Sequence, residues 1–230
     1  YIAVPHVEQQ SQYELEVVPV SHPKTMKSVL YSKKVTRISR AHDDFEVTSD
    51  VRESFEPFRC SETIDGVSQR LSGLHQSYEH LHGILGRRME SLGLSLVWHS
   101  VLAFSFRGRA IQRGWLEVLA VGDTAQGKSE ITRRLLDWYG VGDLLSGESV
   151  TTAGLTAGVE QLGHRNMQRL GALPRSDRTL VVIDEFHEMK EDVVRSMSEV
   201  RSRGFVRMEK IASASAPARV RKIFIANPIS

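Results

Sequence analysis

The sequence predicts an α/β fold: a parallel sheet with flanking helices, preceded by a small β-rich module and a helical connector. Three observations predict it. An apolar run of strand length, Leu116 to Val121, enters a glycine-bounded loop and then an amphipathic helical pattern, with Ile131, Leu135 and Leu136 on one side and Arg133 and Arg134 on the other. Two later runs, Thr179 to Ile183 and Lys222 to Ala226, are mostly apolar without alternation, as in strands covered on both faces. The first residues instead alternate, with Tyr13, Leu15 and Val17 separated by charge. The expected division is 1–57 for the β-rich module with a linker, 58–106 for the connector and 107–230 for the α/β core.

Composition bounds the function. Hydrophobic residues make up 40% of the 230, enough for a sizeable core, and the net charge is +2, so any nucleic-acid site must come from a local patch. The single cysteine, Cys60, cannot form an internal disulfide, which suits a reducing, intracellular compartment. The longest apolar stretch, Leu92 to Phe106, carries His99 and falls short of the roughly 20 residues a membrane span needs. It reads as a buried helix, and no membrane partner is expected. A start at Tyr1 reads as a fragment of a longer chain.

Along the chain, Tyr1 to Glu8 and Tyr13 to Val20 read as strands, residues 21–24 as a turn, and Ser28 to Ser32 as a returning strand. Lys24, Lys27, Lys33, Lys34, Arg37 and Arg40 make this the most basic stretch. It is either a solvated face or the nucleic-acid-facing surface of a small barrel of the OB type. Arg40 to Pro57, where acidic residues take over, reads as a linker. Ser61 to Ile84 carries Ile64, Val67, Leu71, Leu74, Tyr78, Leu81 and Ile84 at helical steps. Its histidines lack the further ligands of a metal site. A break at Gly83 to Gly86 precedes a second helix, expected to run to about Phe106.

Gly122-Asp123-Thr124-Ala125-Gln126-Gly127-Lys128-Ser129 fits G-x-x-x-x-G-K-[ST] at every fixed position. The spacing serves a triphosphate. A loop at a helix N-terminus aims several N–H groups inward, and the two glycines let the backbone approach the phosphates. Lys128 can neutralise the β and γ charge, and the Ser129 hydroxyl can ligate Mg²⁺. The expected ligands are therefore ATP and Mg²⁺. Asp184 and Glu185 close the Thr179 run, at the sheet edge where ligands bind. Asp184 is expected to hold Mg²⁺ through its water shell, and Glu185 to orient and deprotonate the attacking water. Asn227, ending the third strand, can hydrogen-bond the γ-phosphate or that water, or is simply a turn residue before Pro228. The segment Val150 to Gln161 is rich in small residues and reads as a short strand or loop.

From Arg113 onward the chain resembles the minichromosome maintenance (MCM) group of AAA+ helicases. The resemblance rests on Arg113-Gly114 leading to VGDTAQGKS, GLTAGV from Gly154, IDEFHEM from Ile183, SEVRSRGFVRMEK ending at Lys210, Ala218-Arg219, and IANP from Ile225, in that order. It implies a partial AAA+ P-loop NTPase core and an ATP-driven ring, hexameric in the full-length protein, acting on single-stranded or forked DNA. It implies that Val150 to Gln161 is a pore-facing insert and that Phe205 to Val220 is a hairpin carrying the DNA-contacting Lys210, with Arg207 beside it. Asn227 matches the sensor asparagine, acting with Glu185 and Lys128. The chain departs from the family at Thr124-Ala125, where Pro-Gly is usual, and at His187, where Asp is usual. By the same resemblance an arginine finger, a second sensor and a lid are expected beyond Ser230.

Two further readings compete: an AAA+ protein remodeller of the chelatase or transcription-activator type, and a nucleotide-binding scaffold. Glu185 argues against the scaffold, which has no use for a water-activating carboxylate. The basic set Arg201, Arg203, Arg207, Lys210, Arg219, Arg221 and Lys222 favours DNA over a protein substrate.

Overall fold

The computed structural model describes residues 12–22, 24, 28–38, 46–56, 63–162, 165–208 and 214–228. The expected strand Tyr1 to Glu8 and the residue Lys210 lie outside these. The chain divides into two compact units, 1–59 and 60–230.

In the first unit, strands β1 (Gln12–Ser21) and β2 (Ser28–Ile38) form an antiparallel hairpin, with Leu15 opposite Val35 and Tyr13 opposite Arg37. Tyr13, Leu15 and Val17 are half-buried while Glu14 and Glu16 are exposed, the period-two alternation of a one-sided sheet. The returning strand runs past Ser32 because Val35 continues the apolar side. Within the stretch expected to be a linker lies helix α1 (Ser49–Phe55), where the Thr48 side chain accepts the Val51 N–H and Asp50 sits in the first turn. None of its residues is buried, so no apolar periodicity announces it.

The second unit is built on a four-stranded parallel sheet. Its strands are β5 (Glu117–Val121), β6 (Asp143–Ser146), β9 (Leu180–Asp184) and β12 (Arg221–Ala226), in the order β5-β12-β9-β6. Helix α4 (Lys128–Tyr139) connects the first two. Helices α2 (Ile64–His82) and α3 (Arg88–Trp98) pack on the same side as α4. On β9, Leu180 and Val182 face that side, with Ile131, Leu135, Leu94 and Tyr78. Val181 and Ile183 face the other, with Leu155, Leu173, Met197 and Val200. Alternate residues of one strand thus enter two cores, which is why β9 reads as an unbroken apolar run. No described helix is long and apolar enough to cross a membrane.

Two expected elements differ. The helix expected to reach Phe106 stops at Trp98. Then β3 (Phe104–Phe106) and β4 (Arg109–Ile111) form a hairpin. Its two-residue turn, Arg107-Gly108, has φ of 50° and 75°, the geometry that matches strand twist. The Phe-Ser-Phe alternation before a glycine turn outweighs the overall apolarity of the segment. The small-residue segment after Val150 holds a short helix α5 (Thr152–Leu155), capped by the Thr151 side chain. It continues into an antiparallel hairpin of β7 (Ala157–Leu162) and β8 (Arg165–Leu170). After β8 come α6 (Ala172–Arg175), α7 (Glu191–Ser196) and α8 (Ser198–Arg203), then the hairpin β10 (Phe205–Met208) and β11 (Ala214–Pro217).

One ion pair fastens β12 to β5. Lys222, at 0% exposure, donates to Glu117 Oε1 at 3.1 Å, and Arg201 donates to Glu117 Oε2 at 2.8 Å. Burial pushes the Glu117 carboxyl up, but Lys222 and Arg201 together hold it below its ordinary value. Burial drives the Lys222 ammonium below its own, against the pull of Glu117. Glu117→Ala leaves that ammonium uncompensated and is expected to cost about 3–5 kcal/mol in urea unfolding. An ionised Glu117 is favoured in the folded chain, so the unfolded chain takes up its proton first as pH falls. The pair's contribution is intact above the ordinary carboxylate range and is lost on acidification below it. Equal urea midpoints for the two proteins at neutral pH would refute this.

Candidate functional site

The loop between β5 and α4 forms because two residues adopt left-handed backbone, Ala125 at φ 59° and Gly127 at φ 82°. A side chain on Gly127 would also meet Ile84 Cδ1 at 2.7 Å. Ile84 belongs to the connector, which backs the loop elsewhere too. The Arg87 guanidinium donates to the Gln126 carbonyl at 2.9 Å. Glu90, half-buried near Arg87 and Lys128, has its carboxyl pushed up by burial. These contacts were not predicted from sequence, because Ile84, Arg87 and Glu90 show only helix periodicity or charge.

Lys128 is buried and donates to three acceptors: the carbonyls of Gly122 at 2.6 Å and Asp123 at 2.7 Å, and Asn227 Oδ1 at 3.3 Å. Asn227 reaches this point because β12 lies between β5 and β9, so its end stands beside both the loop and the acidic turn. Its Nδ2 faces Glu185 Oε2 at 3.5 Å. Asp184 Oδ1 accepts the Glu185 N–H at 2.9 Å. Glu185 itself has left-handed backbone, φ 52° and ψ 42°, which is costly for a residue with a side chain and recurs at functional sites. Gly147, at the end of β6, lets this turn form. Its N–H donates to the Asp184 carbonyl at 2.7 Å, and a Cβ there would stand 2.3 Å from the Glu185 carbonyl oxygen.

His187, whose role the sequence leaves open, joins the cluster. It lies on a 3-10 turn, Phe186–Glu188. Its Nδ1 accepts the Asn227 N–H at 3.3 Å, and its Nε2 lies 3.5 Å from Glu185 Oε2 and 3.4 Å from Glu188 Oε1.

The cleft so enclosed is about 300 Å³ and is lined by Thr124 to Glu130, Arg133, Asp184, Glu185 and Asn227. The structure thus brings together every expected residue of the nucleotide site except Gly122 and Asp123 at the lining, whose carbonyls instead fix Lys128. The donor set fits a nucleotide with Mg²⁺: N–H groups and dipole of the α4 N-terminus, one ammonium, a serine hydroxyl and an aspartate. A larger cleft, about 870 Å³, lies away from the loop, between α5, β7 and α7. Size does not choose between them. Only the smaller one joins a helix N-terminus, a lysine and two strand-end carboxylates.

Four members of the basic set face three carboxylates, and a fifth faces carbonyls. Arg201 and Lys222 bind Glu117, and Arg207 lies 3.0 Å from Glu199. Arg219 forks onto Asp177 at 2.8 Å, and Arg221 donates to the carbonyls of Ser100 and Arg178. Sequence displays these charges, and Glu199 close to Arg207, but not the distant Glu117 and Asp177 that meet three others.

A sequence profile described as the MCM P-loop domain matches residues 82–230. The chain belongs to the MCM family. Its relatives include DNA replication licensing factor Mcm3 of Drosophila melanogaster, 33% identical over 121 residues, 51% of this chain and 15% of that protein. DNA replication licensing factor MCM4 of Arabidopsis thaliana is 29% identical over 217 residues, 89% of this chain and 25% of that protein. The mcm3 licensing factor of Schizosaccharomyces pombe is 33% identical over 121 residues, 51% of this chain and 14% of its own length. The chain matches a quarter or less of the length of these relatives. As an MCM P-loop domain it carries a nucleotide-binding core.

Proposed function

We propose that this chain is the nucleotide-hydrolysing part of an MCM-type replicative DNA helicase, acting in a homo-oligomeric, hexameric ring. The observation that carries the reading is the convergence at one cleft of Lys128, at the start of α4, with Glu185 and Asn227, just past the ends of β9 and β12. A module that only bound nucleotide would need the loop but not the carboxylate facing it. The residues divide the work. Loop N–H groups and Lys128 hold the phosphates, and Ser129 and Asp184 hold Mg²⁺, whose charge offsets that of the phosphates. Glu185 takes a proton from the attacking water, while Asn227 fixes its carboxylate relative to Lys128. That the relatives are DNA replication licensing factors supports DNA as the substrate.

The ion pairs within the basic set keep the protein remodeller as the competing reading, so the DNA contact rests first on Lys210, with Arg207, which lies 3.0 Å from Glu199, beside it. Lys210 belongs to the residues between β10 and β11, which pair antiparallel. Lys210→Ala in the full-length ring is expected to abolish strand separation, lower the salt dependence of single-stranded DNA binding by roughly one unit of log–log slope, and leave ATP binding intact. Wild-type unwinding by this variant would refute the hairpin assignment and shift the case to a protein substrate.

A further inference from the structure

We propose that His187 is a positioning residue for hydrolysis, one ring nitrogen holding the Asn227 backbone and the other aiming the Glu185 carboxylate. The proposal rests on Glu185 being the base. An N–H can donate only to a nitrogen without a proton, so the bond from Asn227 to Nδ1 places the proton of a neutral ring on Nε2. That Nε2–H faces the carboxylates of Glu185 and Glu188. The ring is largely covered, at 17% exposure, whereas Glu185 is 48% exposed. An exposed glutamate samples several rotamers unless a neighbour selects one. The turn that carries His187 is itself fixed. Glu188 N–H donates to the Glu185 carbonyl at 3.0 Å, and the Phe186 ring packs 4.6 Å from that of Phe224 on β12. His187 therefore joins the end of β12 to the acidic turn by a rigid path, and a shift of Asn227 is transmitted to Glu185. A carboxylate at position 187 can accept the Asn227 N–H but meets Glu185 with like charge. Of these two side chains, only the imidazole offers an acceptor on one side and an N–H on the other.

Two substitutions separate the two nitrogens. His187→Asn keeps an acceptor near the Nδ1 position and nothing at Nε2. His187→Gln keeps a donor near the Nε2 position and loses the Nδ1 acceptor. In the full-length ring, His187→Asn is expected to keep its melting temperature, its affinity for Mg-ATP and its KM, while kcat falls about tenfold to a hundredfold, as for a misaligned catalytic group. His187→Gln is expected to retain most of kcat and to melt earlier. Nitrogen NMR of the chain without nucleotide is expected to show the Nε2–H tautomer. An Nδ1–H tautomer, wild-type kcat in His187→Asn, or equal losses of kcat in the two variants would overturn the proposal. The tautomer is read with no nucleotide present, so it decides the His187 contact even if the wild-type ring proves not to hydrolyse ATP, a result that would count against the reading of Glu185 instead.

Discussion

Lys128→Ala is expected to reduce Mg-ATP affinity by about a hundredfold or more with the fold retained. The ammonium is held over the cleft by the carbonyls of Gly122 and Asp123 and by Asn227 Oδ1, so its place is set by the loop. Its three donors are all engaged there, so binding exchanges bonds to neutral acceptors for bonds to charged phosphate oxygens; a net gain of about 3 kcal/mol, within the range for hydrogen bonds to charged groups, corresponds to about a hundredfold in affinity. The substitution also frees three acceptors, which are only partly buried, so the cost to stability is expected to stay near 1 kcal/mol. Calorimetric titration with Mg-ATP measures the first effect and thermal melting by circular dichroism the second. Equal affinity in the two proteins would remove the phosphate-loop assignment. A lost melting transition would instead make Lys128 a structural residue.

That site was legible in sequence for a physical reason. A phosphate loop is local: its glycines, lysine and serine are fixed by chain spacing, and the strand before it and helix after it show their own periodicities. Asp184 and Asn227 were legible because a buried parallel strand is a continuous apolar run, and the first polar residue after it marks the edge of the sheet. What was not legible depends on pairs distant in the chain. Ile84 and Arg87 support the loop from another helix. Gly147 passes under Glu185 from a different strand, with no signal beyond a turn. The basic residues after Val200 favour DNA in sequence partly because two of their carboxylates, Glu117 and Asp177, lie far off in the chain. Local alternation also separates β3 from the helix before it, where total apolarity merged them. His187 shows the same limit in one residue. Its identity was visible as a departure from the family, but its task required the end of β12 beside it.

Glu185→Gln is expected to separate binding from hydrolysis. The amide is isosteric with the carboxylate and keeps an acceptor for Asn227 Nδ2, now 3.5 Å away. Glutamine bears the same backbone cost as glutamate at φ 52°, so the turn has no new reason to move. The change in stability is expected to lie within about 0.5 kcal/mol, as for substitutions that leave packing intact. Ser129 and Asp184 are untouched, as is Lys128, so affinity for Mg-ATP is expected to match the wild type. The amide cannot take a proton from water at neutral pH, and the loss of a general base costs about 10²-fold or more in rate. Single-turnover hydrolysis in the full-length ring measures this directly, because product release does not enter. Hydrolysis at the wild-type rate would transfer the base to another residue, with the adjacent Asp184 the first candidate. Loss of ATP binding would show that Glu185 holds the ligand itself, and that the bonds among Asn227, His187 and Glu185 serve affinity and not the chemical step.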